Sequence, residues 1–496
     1  MSTHETRRLV NNFAFLTGGY FFVRLITMVA TLYAARMLGP GDFGRLSSGV
    51  NIALVLAVTS NLGLADYMVL AIARTPQKSG TLLGDAFLIK VFVLPLILLS
   101  GALIKWIDPE HGLLFLLMIL HGLFHSYILL FWAVFRGLER MEYQTFLMII
   151  QNVIIAGGAS LAIWLTKNAT VAAVAYLLAS GLTAVVGYSL LHKMNLQPSY
   201  RWRPDAWKQL LKKAFPFGLI FAYLIVYDKL PTILLPVLSP EGDAGWYNSV
   251  YTIVTVLATI PTIIMVVVFP MIARKSQNAQ EEVVQISTSL IKYTTVIGLG
   301  LAIALAALAP WLIPFLFSDA YLPSIQIMQI LAVSLPFLFL IISLTSIIEA
   351  TGQQHICARY TGYALLLAGP LCVVFVWQWG YLGGSVAYVI NNIVLTALML
   401  RLVRKTIGDV SLGQAFWLPM MVGLVAGIFV YILRDWPFYI LLAAALLLFL
   451  VLLLLSGVVG LPEVEMVRKV WQNRRLPQPA PASVSPVGNE ENINLP

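Results

Sequence analysis

Charge is scarce in this 496-residue chain: Asp, Glu, Lys and Arg make up 11% of it, against about 25% in an ordinary soluble domain. A chain so poor in charge cannot dress a soluble surface, and it is too apolar to stay disordered. Cysteine is nearly missing as well. Cys357 and Cys372 are the two present, both in or beside one apolar span, which excludes a disulfide scaffold and gives a zinc site no support. No phosphate-binding glycine loop and no nucleophile motif occurs.

What the chain has in abundance is apolar length. Hydrophobic residues are 59% and mean hydropathy is +0.87. Runs of about twenty apolar residues recur from end to end, the pattern of helices that cross a bilayer. The runs predict an all-α integral membrane protein with fourteen spans, near 11–37, 46–70, 82–104, 112–135, 144–166, 170–192, 214–238, 246–272, 285–309, 321–350, 355–379, 381–400, 413–433 and 437–460. The first run is too long for a signal peptide and no A-x-A site follows it, so it reads as a retained span.

Lys and Arg set the orientation. With the N-terminus on side one, that side holds 22 basic residues and the other holds 5, namely Arg36, Arg45, Lys105, Lys167 and Arg434. Four more, Arg24, Lys90, Lys229 and Lys292, lie inside spans. The bias places both termini in the cytoplasm. The net charge of +9 therefore follows the positive-inside rule and marks no nucleic-acid surface. No outward loop exceeds roughly a dozen residues. Its acids, Asp42, Asp108, Glu110, Glu241, Asp243, Asp319 and Asp435, are scattered. That argues against a membrane glycosyltransferase, ligase or polymerase, which needs a sizeable outward domain, and the chain is not expected to be an enzyme.

The two halves echo each other. LGPGDFGRLSS at 38–48 pairs with LSPEGDAGWYNS at 238–249, and Ile72-Ala73-Arg74 with Ile272-Ala273-Arg274. Gly137 matches Gly352, and Val174-Ala175-Tyr176 recurs as Val386-Ala387-Tyr388. Six spans per copy makes the repeat parallel. The expected organisation is an N-terminal six-helix bundle over 1–192, a basic cytoplasmic linker over 193–213 and a second six-helix bundle over 214–405. Two additional helices fill 406–460, and a largely disordered tail spans 461–496. A pseudo-twofold axis along the membrane normal would relate the bundles, a plan suited to alternating access around a site between them. In the linker, Pro204 with Trp207, Leu210 and Leu211 reads as a short interfacial helix on anionic phospholipid. In the tail, Val464, Val467 and Trp471 suggest another over 463–475.

Several motifs now stand in order: LGPGDFG at 38–44, Gly63-Leu64, RGLERMEYQ at 136–144, LLKKAFPFG at 210–218, Tyr227-Asp228, LFSDAYLPSIQIMQIL at 316–331 and EATGQQ at 349–354. This series resembles the polysaccharide flippase family of the multidrug/oligosaccharidyl-lipid/polysaccharide exporter superfamily. The likeness covers about 1–405 and, more loosely, the last two spans. It implies two bundles around a V-shaped cavity, export of a polyprenyl-pyrophosphate-linked glycan across a bacterial inner membrane, and contact with polysaccharide polymerase machinery. It brings no cofactor beyond a coupling cation, sodium or a proton.

Polar groups inside the spans are the candidate site residues. Arg24 stands mid-helix, where an Arg costs roughly 2.5–3.5 kcal/mol on insertion scales. Thr17, Tyr20, Arg24, Thr27 and Thr31 recur at three- and four-residue steps and form one polar stripe, expected to line a wet cavity. Arg24, Lys90, Lys229 and Lys292 are the candidate cations for a pyrophosphate, Arg best because its planar fork can bind bidentately. For Lys292, about two turns from the cytoplasmic end of its span, the alternative is snorkelling to that surface. A second stripe, Asn248, Tyr251 and Thr255, continued by Thr259 and Thr262, offers glycan contacts or bonds between helices. Asp228 is the one acid near the centre of a span and the candidate for ion coupling, with Asn391, Asn392 and Thr396 as neutral donors; the alternative is compensation of a nearby base. The eleventh span has no acid to complete a sodium site. His121 and His125 share a face, suiting structural bonds or cavity lining more than metal. Four bases against one central acid favour an anionic substrate over the cationic drugs of an ion-coupled multidrug exporter.

Overall fold

The computed structural model describes residues 3–107, 109–276, 279–434 and 436–458. The expected tail, Asp108, Asp435 and the side chain of Thr17 lie outside the described residues. No strand occurs among those described. Helices α1 (Thr3–Thr59), α2 (Leu64–Arg74), α3 (Ser79–Ile107), α4 (Gly112–Gly137), α5 (Met141–Thr166) and α6 (Ala169–Lys193) make the first half. Then come α7 (Pro204–Leu238), α8 (Asp243–Leu257), α9 (Thr259–Lys275), α10 (Gln280–Leu316), α11 (Ser324–Ala332), α12 (Leu335–Ala350) and α13 (Gln354–Thr406). Helices α14 (Leu418–Ile432) and α15 (Phe438–Leu455) are the last among the described residues and pack on α10 through Leu299, Ile303, Val422, Ala426 and Ala445.

Among the described residues, ten helices are long and apolar enough to cross a membrane, or twelve if each of two bent pairs is one span. Two of them hold more than one straight helix. In α1 the chain turns at Gly39, whose φ of 74° only glycine adopts without strain; in α13 it turns at Gly380. The molecule is a multi-pass membrane protein. Trp106, Trp164, Trp377 and Trp417 are exposed, a placement that suits tryptophan at a bilayer interface. The count of fourteen and the cytoplasmic termini are expectations that reporter fusions test. Fusions after residues 75, 140 and 205 should read cytoplasmic and those near 108 and 242 external. A cytoplasmic signal at 242 would break the repeat.

The linker differs from the expected interfacial helix. Residues 204–213 are the first turns of α7 itself, and they are fastened to the first half. The buried Asp85 of α3 accepts from Arg203 Nη2 at 3.1 Å on both oxygens and from Trp207 Nε1 at 3.0 Å. A buried carboxylate needs such donors. Trp207, Leu210 and Ala214 join the apolar core of Leu64, Met68, Phe131 and Phe135. Arg201, Lys208, Lys212 and Lys213 stay exposed. Helix α7 carries Pro216, Pro231 and Pro236 and bends by 45° near residue 220.

Each half has a core of its own toward the end holding the linker, the second built on Ile291, Leu344, Ile347 and Met399. At the opposite end, outward by the Lys/Arg count, one core is shared. Ala34, Phe43 and Met118 of the first half pack with Tyr247, Val250, Phe317 and Tyr321 of the second. The echoing segments meet here. A side chain on Gly44 would strike the backbone of Gly245, and one on Gly245 the carbonyl of Pro40. Between membrane helices no hydrophobic force draws surfaces together, so small residues that allow close approach supply the contact.

Candidate functional site

Polar bonds reinforce the core that the two halves share. Arg45 of α1 bridges Asp42, at 2.9 Å, and Glu241 in the turn before α8. Arg36 donates to the carbonyls of Phe315 and Phe317, each at 2.8 Å, at the C-terminus of α10. The last carbonyls of a helix lack partners within it, and here the other half provides one. Tyr321 donates to the carbonyl of Ala35 at 2.8 Å.

Beneath this seal lies a cavity of 310 Å³ with walls from both halves. Arg24, Thr27 and Thr31 reach it from α1, and Lys229 from α7. Asn248, Tyr251 and Thr255 reach it from α8. Part of each polar stripe thus faces one space, because α1 and α8 pack against each other beneath the matched turns, while Thr259 and Thr262 do not line it. Arg24 is exposed, and among the described residues no acid pairs with it. Thr31 returns its hydroxyl to the carbonyl of Thr27 at 2.7 Å.

Other candidates stand elsewhere. Tyr20 is exposed and is not among the residues lining the cavity. Lys90 is buried and donates to the carbonyl and hydroxyl of Ser126, at 2.8 and 2.6 Å, which ties α3 to α4. Its ammonium, removed from water, has taken acceptors on the neighbouring helix and lies 4.9 Å from the Tyr127 ring centroid. Lys292 lies beside the Tyr293 ring and also outside the cavity.

Adjacent positions on a helix diverge by about 100°, so Asp228 and Lys229 need not meet. They do. Lys229 Nζ lies 3.0 Å from Asp228 Oδ2, and the Tyr251 hydroxyl bonds to both. Of the expected neutral donors, Thr396 bonds to the carbonyl of Phe337 at 3.2 Å and Asn392 to that of Tyr388 at 2.8 Å. Asn391 is buried, and its backbone carbonyl accepts from Tyr227. Asp228 therefore has the Lys229 ammonium and the phenols of Tyr251 and Tyr388 as neighbours, while the Asn392 amide returns to its own helix and Thr396 ties α13 to α12.

His121 and His125 do line the cavity, stacked with centroids 6.0 Å apart. His121 Nδ1 lies 3.0 Å from the carbonyl of Tyr176, which only accepts, so that nitrogen carries the proton. His125 Nδ1 meets the Gln151 amide at 3.2 Å. Among the described residues no group of three metal-ligating side chains occurs.

Sequence reasoning missed Asn51, Gln151, Asn152 and Thr252, which all line the cavity. The signal was there: an amide within an apolar span is as informative as a charge. Together these groups give a chamber with two cations, Arg24 and Lys229, and a neutral wall of amides, hydroxyls and imidazoles. Such a lining can hold an anionic group joined to a hydrogen-bonding one.

The fold has solved counterparts. "Lipid II flippase MurJ, inward closed conformation" superposes with a TM-score of 0.66 at 16% identity, covering 88% of this chain and 97% of that one. An inward-facing multidrug resistance MATE family transporter of the MOP superfamily gives 0.59 at 17%, covering 78% and 98%. A MATE protein in the straight conformation gives 0.55 at 14%, covering 81% and 95%. These neighbours are a flippase and transporters, not enzymes, and at such identities they show the fold. No match is found among curated proteins. The polysaccharide biosynthesis protein family, however, matches residues 9–276, more than half of the sequence, and the chain belongs to that family.

Proposed function

We propose that the protein is a flippase that carries a polyprenyl-pyrophosphate-linked oligosaccharide from the cytoplasmic to the outer leaflet of a bacterial inner membrane by alternating access. The observation that carries this reading is the pairing of Arg24 and Lys229 with a neutral polar wall in one cavity between the halves. A pyrophosphate supplies the negative charge that Arg24 calls for, with Lys229 shared between it and Asp228, and a glycan supplies hydroxyls for the amides and imidazoles. The prenyl tail stays in lipid. The family and the flippase-like fold support the same reading.

The MATE neighbours share the fold, and Asp228 leaves room for an ion-coupled exporter of cationic drugs. Its pairing with Lys229 weighs against that second reading, since a paired carboxylate offers little to a cationic drug. Reconstitution separates the two. Proteoliposomes holding the protein should move a fluorescent polyprenyl-pyrophosphate oligosaccharide between leaflets and should not concentrate ethidium. Ethidium transport without glycan transfer would replace the flippase by the exporter.

A further inference from the structure

Three side chains close a triangle at the wall of the cavity. Lys229 Nζ lies 3.0 Å from Asp228 Oδ2 and donates to Tyr251 Oη at 2.7 Å. Tyr251 in turn donates to the same Asp228 oxygen at 2.7 Å. The ammonium also sits 4.5 Å from the Tyr251 ring centroid. Lys229 and Tyr251 line the cavity, whereas Asp228 is not among its lining residues. An ammonium has three protons; two are used here, and the third has no acceptor among the described residues.

We propose that Lys229 is a tethered counter-ion for which the Asp228 carboxylate and an anionic group in the cavity compete, so that neutralising Asp228 and filling the cavity with an anion favour each other. An anion entering the chamber meets the free face of the ammonium first. The four-carbon stem lets the charge swing without moving the helix. A doubly charged group beside Arg24 draws it more strongly than a single carboxylate already sharing the Tyr251 proton. Asp228 then keeps its neighbouring phenols, Tyr251 and Tyr388, and takes up a proton or a monovalent cation. By linkage the effect is reciprocal: what neutralises Asp228 strengthens anion binding by the same factor. The inference rests on the reading of the cavity as an anion site.

The test is a double-variant cycle on the full chain in detergent, with inorganic pyrophosphate as the probe and its Kd as the readout. Asp228→Asn mimics the neutralised carboxylate and should tighten pyrophosphate about tenfold, within the range usual for coupled sites. In the Lys229→Met background the same change should tighten it by about twofold at most, since no tethered charge is left to release. Tyr251→Phe removes the hydroxyl that both partners share and keeps the ring. Without the Tyr251 proton the carboxylate holds Lys229 harder, so binding should weaken by about two- to threefold in the parent and stay unchanged in the Lys229→Met background, and this variant serves if Asp228→Asn folds poorly. Equal tightening in both backgrounds would reduce the effect to through-space repulsion and overturn the competition, as would unchanged affinity in Asp228→Asn or in Tyr251→Phe. If neither the parent nor Asp228→Asn binds pyrophosphate in an Arg24-dependent way, the anion-cavity reading itself fails. Arg24-dependent binding without the cycle coupling would sink this inference alone.

Discussion

Arg24→Ala should cut glycan translocation by at least about tenfold while leaving the protein inserted and folded. The side chain is exposed to a cavity and, among the described residues, has no acidic partner to orphan. Removing it therefore breaks no ion pair. It also relieves an insertion cost of roughly 2.5–3.5 kcal/mol, so membrane levels should match or exceed those of the parent. A charge-assisted contact to a phosphate is worth about 1.5–3 kcal/mol. Its loss alone predicts roughly a 10- to 150-fold fall in transport at limiting substrate, and more if both phosphates use the guanidinium. Arg24→Lys keeps the charge and loses the planar fork, and it should recover part of the activity. The measurement is membrane level and leaflet transfer side by side. Full transfer by Arg24→Ala at normal level would remove this residue from the mechanism.

The second large effect is expected at the outward seal. Gly245→Leu places a side chain against the carbonyl of Pro40, where two backbones already touch. Overpacking of this kind costs about 1–3 kcal/mol, and the cost falls on the closed arrangement because the contact joins the two halves. The open arrangement should gain roughly 5- to 150-fold in population. A Thr252→Cys reporter in the cavity should then react faster with an impermeant maleimide added from outside. The native Cys357 and Cys372 are buried and should stay silent. Translocation should fall in step, since a chamber that cannot close outward cannot alternate. Unchanged labelling and transport would show that the seal holds the fold together and gates nothing.

Membrane character, helix positions and the two matched outward turns were legible in the sequence, and each has a short-range cause. An apolar run of about twenty residues can satisfy its backbone in lipid only as a helix. The Arg24 stripe was legible because three- and four-residue steps share one face of a helix. The linker was half legible. Pro204 marks a helix start, but that the helix runs on into α7 and is held by Asp85, more than a hundred positions earlier, is a long-range fact.

By itself the sequence determined a multi-helix membrane protein, Lys/Arg-weighted toward one side, with a few costly polar groups in its spans. It determined which residues are unusual, because the cost of burying a charge in lipid depends only on residue type and depth. Only the tertiary structure decided which of those residues share a space. Lys90 and Lys229 are each the one base of an apolar run, and although Asp228 precedes Lys229 the sequence does not show which groups either ammonium reaches. Lys90 faces Ser126 across a packed pair of helices, whereas Lys229 meets Asp228 and Tyr251 at the cavity wall. The difference is set by which helix lies opposite, and periodicity along one helix carries no information about its neighbour.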